Sequence, residues 1–504
     1  MSTSSASTAT ASTNAMRRWF DSGPVRVVAL LATITFPAAF EGLRLSALAD
    51  NDIWWHLRTG LWILQDHAIP RSGLFSQSSS LPWIDASWGF DLLTGMAYRR
   101  FGLAALPLSL MFLQLAIATG LFMLARVTSR KFWPAVILTA IGQCCIVPLQ
   151  PRPALCSIFF LAVELAILLT SRRTGDTQRL FWLPAIFLLW ANLDRQFAYG
   201  LFALALFCLA AVIERLGRNS GLQWLNTGLL PLNGVKLTLA AGGSLLATFF
   251  TPYTWHLHAL IWQSATSSAA DRYFRPLHAM RFRQPQDYLL MLLVMTAFFV
   301  LGRRRSRDVF LISLLIVAAV ISFRLQRDNW LVVVVSVAII GNALFSLEEN
   351  RVLDVSRPYR RDTIVAAALA IIVAAALGLR IGATRSLHPK IAAAYPVAAA
   401  EYIRQSNLPQ PLFNAYEFGG FLTWYLPEYP VYIDGRIDLY GDGINIPYFK
   451  LMQAEIPLQS HAGFTSAQTF FLQADSPLGE ALVTLPGFRL IYRDKLAVVI
   501  VREK

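Results

Sequence analysis

The chain has 504 residues, 55% of them hydrophobic and only 15% charged, with a mean hydropathy of +0.49. Soluble globular chains carry about 25% charge, so this composition argues against a water-soluble enzyme. The 44 Lys and Arg exceed the 30 Asp and Glu by 14, a balance that would suit a nucleic-acid binder if the basic residues shared one face. They sit instead in short clusters between apolar runs, which points to a polytopic α-helical membrane protein and no nucleic-acid partner.

Residues 1–24 are rich in Ser, Thr and Ala and end near Arg17 and Arg18, as a disordered cytoplasmic tail would and a cleavable signal would not. From 25 to 385, about eleven apolar runs are centred near residues 35, 114, 141, 162, 187, 206, 244, 294, 315, 337 and 373. They approach the ~20 residues that a bilayer core requires. An odd number puts the termini on opposite sides. With the N-terminus cytoplasmic, the inner loops collect Arg126, Arg130 and Lys131, then Arg172, Arg173 and Arg179, then Arg215 and Arg218, then Arg303, Arg304, Arg305 and Arg307, and finally Arg351, Arg357, Arg360 and Arg361. This is the distribution that the positive-inside rule expects. Cys144, Cys145, Cys156 and Cys208 all lie in apolar runs without ligand-like spacing and imply neither disulfides nor zinc.

Three parts then face outside: a large loop at 45–100, a second at 252–287, and the tail beyond Ser386. In the first, Trp54, Trp55, Leu61 and Trp62 are spaced as on an amphipathic helix lying along the membrane surface. No repeat is visible, and the two membrane halves lack the similarity many transporters show. Residues 392–504 change character: the runs PLFNAY, PVYID, TFFL, FRLIY and LAVVIV alternate with helical or loop segments, predicting a small α/β domain. Asp494 and Lys495 supply the turn of a terminal hairpin.

The residues suited to chemistry begin where the first apolar run ends, at Asp50-Asn51-Asp52. Such a pair serves as a general base towards a hydroxyl, holds a divalent cation, or, in the plainer reading, leaves Asp52 as the N-cap of the next helix. No cation is firmly implied. On that helix His56 lies four residues beyond Asp52 on the same face, and Arg58 about one and a half turns away. Several arginines stand on outer turns close to the membrane: Arg152, Arg195, Arg324 and Arg327, the last beside Asn329, with Arg272 and Arg275 in the second loop. A guanidinium suits phosphate oxygens at a low-dielectric boundary, so convergence of these side chains would make a lipid-phosphate site. Each alone is equally explained by lipid headgroups or a neighbouring Asp194, Asp271 or Asp328. His256, His258, Asp271 and His278 match no tight metal-ligand pattern. In the tail, Asn414, Tyr416, Gly419-Gly420 and Asp434-Gly435-Arg436-Ile437-Asp438 are either structural or a loop-borne site.

The stretch D-x-D-x-W-W-H-L with R-x-G following, then P-R and F-S, then Trp83 and Trp88, resembles the large outer loop of GT-C superfamily integral membrane glycosyltransferases, particularly bacterial RgtA/B/C/D-like members. The tail resembles the C-terminal extracytoplasmic domain of an uncharacterised bacterial group, through Asn414-x-Tyr416-x-x-Gly419-Gly420 and Asp434-Gly435-Arg436-x-Asp438. Together the two stretches cover about a third of the chain. The resemblance implies a polyprenyl-phosphate-linked sugar as donor, an acceptor in the cell envelope, and residence in the bacterial inner membrane. It implies Asp52 as general base, with Asp50 as its neighbour. Two positions depart from the expected pattern: Thr251 stands where Asn would precede Pro252-Tyr253, and Asp194 where His would follow Asn192-Leu193. The competing readings are an envelope polysaccharide ligase or polymerase, a lipid-linked-sugar transporter, and an assembly scaffold.

Overall fold

The computed structural model describes residues 19, 22–146, 149–220, 230–266, 278–346, 360–382 and 387–503. Each of the predicted apolar runs coincides with a helix. These are α1 (Gly23–Arg44), α4 (Ala105–Ser129), α5 (Phe132–Ile146), α6 (Ala154–Thr174), α7 (Leu183–Leu193), α8 (Phe197–Asn219), α9 (Gly234–Ala247), α11 (Pro285–Arg303), α12 (Val309–Arg324), α13 (Trp330–Ser346) and α14 (Arg360–Gly382). Between them lie α2 (Ile53–Asp66), α3 (Trp88–Phe101) and α10 (Trp255–Thr266). Among the described residues six helices are long and apolar enough to cross a membrane, and four shorter apolar ones accompany them. The chain is a multi-pass membrane protein. Helix α7, with 11 residues, is the short one. At 1.5 Å per residue it reaches about 16 Å, half of a hydrocarbon core.

Helix α13 occupies the middle of the bundle, its run Leu331–Val335 wholly buried, and packs against α4, α5, α6, α11 and α12. Helix α1 contains Pro37, which has no N–H to give the carbonyl four residues earlier. That carbonyl, of Thr33, accepts instead from Gln143 Nε2 of α5 at 3.0 Å, and Gln143 in turn accepts from Gln114 of α4 at 2.8 Å. Three helices are thereby tied together inside the apolar layer, with the broken backbone bond replaced by a side-chain amide.

The large loop folds as a helical pair. Helices α2 and α3 cross so closely at Gly60 and Gly95 that a Cβ on Gly60 would collide with the Asp91 carbonyl. The expectation that α2 lies on the membrane surface is corrected here. Trp54 is wholly buried and Trp55 nearly so: from the tail, Trp54 meets Tyr395, Phe421 and Trp424, and Gly420 and Gly435 lie against Trp55, which also meets Trp83 of the large loop. An aromatic ridge on one helical face fits a protein partner as well as it fits headgroups, and periodicity does not tell the two apart.

After α15 (Leu387–Ala394) and α16 (Val397–Ser406), the tail forms a four-stranded sheet of β1 (Leu412–Asn414), β2 (Thr469–Gln473), β3 (Phe488–Arg493) and β4 (Ala497–Arg502) in the order β1-β2-β4-β3. Strands β1 and β2 are parallel; β4 is antiparallel to both of its neighbours. The hairpin turn is where the sequence puts it, with Asp494 Oδ1 accepting from Leu496 and Ala497 N–H at 2.8 Å each. PVYID is not a sheet strand. Its Val431 bridges to the large loop instead, exchanging backbone hydrogen bonds with Phe75 and Gln77. Helices α17 (Tyr416–Tyr425), α18 (Ile437–Met452) and α19 (Pro477–Thr484) complete the domain, and α17 packs on α2.

Candidate functional site

The chain turns out of α1 through Asp50, whose carboxylate is buried. Its Oδ1 accepts the N–H groups of Asp52 and Ile53, both at 3.0 Å, so Asp50 caps α2. Asp52, at the N-cap position, makes no capping bond. Its side chain therefore faces a cavity of about 650 Å³ enclosed by the large loop, the bundle and the tail. Arg152 bridges the two acids, with Nη2 at 3.2 Å from Asp50 Oδ2 and 3.1 Å from Asp52 Oδ2. A guanidinium stands where a shared cation would need to be, so the divalent-ion reading of this pair does not fit its geometry. Among the described residues no three His, Cys, Asp or Glu are arranged to hold a metal. Burial pushes the Asp52 carboxyl above its ordinary range, opposed by Arg152 and assisted by Asp50. An acid raised in this way is a better proton acceptor while it stays ionised.

His56 also lines the cavity. Its ring stacks on Trp55, and Nδ1 lies 2.6 Å from Asp91 Oδ1, whose place is set by the α2–α3 crossing. Burial lowers the imidazole to about 4, so the ring is uncharged at neutral pH. Asp85 lies in the same wall, accepting from Ser87 N–H and Oγ–H at 3.1 and 3.2 Å, and burial pushes it well above the usual carboxylate range.

Arg195 and Arg327 line the cavity as well, so Arg152, Arg195 and Arg327 share it. Arg195 forms an ion pair with Asp438, and Arg327 Nε lies 3.3 Å from Asp328. Asp194, in the same wall, accepts from Ser157 Oγ, which itself accepts from Trp190 Nε1 at 2.6 Å. Burial lifts Asp194 to about 6.

The tail closes the remaining side. Arg436 forks onto Asp434, with Nε–Oδ1 at 3.0 Å and Nη2–Oδ2 at 2.7 Å, donates to the Leu74 carbonyl at 2.6 Å, and lies over the Trp83 ring. Asn414 holds the approach to this turn, accepting from Tyr432 N–H and donating to the Ile433 carbonyl, both at 2.8 Å. Between the forked residues, Gly435 packs directly on Asp52: a Cβ there would strike Asp52 Oδ1.

Of the residues singled out in the sequence, Asp52, His56, Arg152, Asp194, Arg195 and Arg327 line the cavity, as do Tyr416, Gly435, Arg436 and Asp438 of the tail, with Asp50 behind Asp52. Arg58 does not line it; six residues past Asp52 it points elsewhere, its guanidinium over the Phe75 ring at 4.9 Å. Asn329 does not line it either: it follows the turn that carries Arg327, and its N–H bonds to the Gln326 carbonyl. Arg272, Arg275 and Asp271 lie outside the described residues. Asp85 and Asp91 were not singled out. The only local signal was an acid set among aromatics, in Trp83-Ile84-Asp85 and Phe90-Asp91.

No family model matches the chain, and no curated protein matches it in sequence. Solved structures do resemble it. The archaeal oligosaccharyltransferase AglB from Archaeoglobus fulgidus, in complex with an inhibitory peptide and a dolichol-phosphate, superposes with a TM-score of 0.50 at 11% identity, covering 91% of this chain and 70% of that one. The same oligosaccharyltransferase tethered to an acceptor peptide gives 0.51 at 12% over the same shares. ArnT from Cupriavidus metallidurans bound to undecaprenyl phosphate gives 0.46 at 14%, over 94% of this chain and 97% of that one. At such identities the likeness to the oligosaccharyltransferase shows the fold alone: this chain has the GT-C fold.

Proposed function

We propose that the protein is a membrane glycosyltransferase that moves a sugar from a polyprenyl-phosphate donor to a hydroxyl-bearing acceptor of the cell envelope. The N-terminus is cytoplasmic and the cavity opens outside the inner membrane. The observation that carries this reading is the placement of Asp52. Its carboxylate is released from capping by Asp50, oriented by Arg152, and set in a cavity that Arg195 and Arg327 also line. The GT-C fold supports it, since the archaeal neighbour is an oligosaccharyltransferase that binds a dolichol-phosphate.

In this mechanism Asp52 takes the proton of the acceptor hydroxyl as its oxygen forms a bond to the anomeric carbon from the face opposite the phosphate. The bond between that carbon and the phosphate oxygen breaks, its electron pair leaving with the polyprenyl phosphate. Arg195 and Arg327 neutralise the charge that develops there. A neutral His56 beside Asp52 serves as hydrogen-bond partner to a sugar or acceptor hydroxyl, with its ring fixed by Asp91.

The test is transfer from a panel of radiolabelled polyprenyl-phosphate sugars, using membranes that contain the wild type or Asp52→Asn. The expected result is labelled product from one donor with the wild type and a loss of about 10²–10⁴-fold with Asp52→Asn, the usual worth of a general base. Equal activity in a folded Asp52→Asn protein would remove this mechanism. Absence of product from every donor would favour the transporter or scaffold.

A further inference from the structure

Every arginine lining the cavity is already paired with a carboxylate: Arg152 with Asp50 and Asp52, Arg436 with Asp434, Arg327 with Asp328, and Arg195 with Asp438. An incoming anion must therefore share a guanidinium with a resident acid, as Asp50 and Asp52 share Arg152, or displace that acid. Three of the four pairs are poorly placed to yield. Asp434 is wholly buried and clasped by a two-pronged fork. Asp50 is pinned by two backbone N–H groups at 3.0 Å. Asp328 is wholly buried and accepts from Gln196 Nε2 and Tyr199 Oη, each at 2.6 Å. Moving any of these acids strands a buried donor or a buried charge.

Asp438 differs on each count. Its side chain is 31% exposed and faces an Arg195 that is 29% exposed, so water can solvate both if they part. Among the described residues its other hydrogen bond is a long one, from Ser264 Oγ of α10 at 3.4 Å. It belongs to the tail, whereas Arg195 belongs to the turn between α7 and α8. Beyond Asp438, Asp194 and Asp328 also bear on the Arg195 guanidinium, and both are held by their own buried partners.

We propose that Asp438 is an internal counter-anion: a tail carboxylate that occupies Arg195 in the empty protein and is exchanged for the phosphate group of the ligand. The inference rests on the donor reading above. It adds that binding exchanges one anion for another on Arg195, so the arginine is never left unpaired in the empty cavity and releases its product as Asp438 returns. Asp438 acts through Arg195 and is a positioning residue.

The test uses the full-length protein in nanodiscs, with farnesyl phosphate and inorganic phosphate as probes. Removing the competing anion in Asp438→Asn should tighten farnesyl phosphate binding by about two- to fivefold, the upper part of the range for a partly exposed pair. Asp438→Glu should keep the wild-type Kd. Arg195→Gln should weaken binding, and adding Asp438→Asn to it should change nothing further. Damage to the fold would weaken binding and would not tighten it, so tightening separates counter-anion from structural support. Tightening for farnesyl phosphate alone marks a lipid-linked source, and tightening for both probes marks the phosphate group itself. An unchanged or weaker Kd in Asp438→Asn, or tightening that persists without Arg195, overturns the proposal. Success in the transfer assay with an unchanged Kd would refute the counter-anion alone. Tightening without any transfer would keep it and remove the transferase.

Discussion

Replacing Gly435 by alanine probes the contact on which the cavity depends, that of the tail with Asp52. The φ angle at Gly435 is one that any residue adopts, so the added methyl acts by volume alone. That methyl would overlap Asp52 Oδ1 and lie 2.9 Å from Trp55 Nε1, which obliges the turn or the carboxylate to retreat by more than an ångström. The turn cannot yield easily, because Arg436 is clamped to Asp434 and to the Leu74 carbonyl. Overpacking of this kind costs about 1–3 kcal/mol, and a shift of about 1 Å at a reacting group costs on the order of 10²-fold in rate. Gly435→Ala should therefore fold, lose a few degrees of thermal stability, and show kcat reduced by about 10²-fold in the donor-transfer assay. Gly443→Ala, also in the tail but with open space around its Cβ, is the control and should retain wild-type kcat. A Gly435→Ala protein with kcat within about twofold of wild type would show that the tail does not bear on the reacting carboxylate.

Other outcomes follow from the same contacts. Burial raises Asp52 and Arg152 restrains it, and the base must be ionised to act, so activity falls as pH drops through that carboxyl. Arg152→Gln should move the acidic limb of the kcat/KM profile to higher pH; an unmoved limb would assign it to another group. Trp54→Ala removes a wholly buried ring from between α2 and the tail. It should cost about 3–5 kcal/mol and make the tail sensitive to limited proteolysis. At the opposite end of the bundle, Arg172 joins Glu214 and lies 3.1 Å from Asp308, tying α6, α8 and α12. Arg172→Met should destabilise the protein by about 3–5 kcal/mol in thermal unfolding, because it leaves two carboxylates facing one another.

The membrane architecture was legible because apolar runs and basic clusters are local properties of the chain, and each run coincides with a helix. The tail hairpin was legible for the same reason, since an Asx turn needs only the residues next to it. The cavity was legible only as a set of candidates. Arg152 meets Asp50 across 102 residues of sequence, and Gly435 meets Asp52 across still more, distances at which periodicity carries no information. Arg58 and Asn329 show the opposite failure, where proximity along the chain suggested a site that direction denies. Asp85 and Asp91 escaped notice because a buried acid among aromatics looks, in sequence, like any polar residue ending a helix or a turn.

The proline in α1 makes the first helix incomplete without a later one. Thr33 cannot satisfy its carbonyl within its own helix, and the amide that does so belongs to Gln143, more than a hundred residues later. In α1 alone this carbonyl would lack that partner inside the apolar layer, where an unmet backbone group is costly. The proline thus makes the first apolar helix depend on a later one, α5, the third of the eleven in chain order.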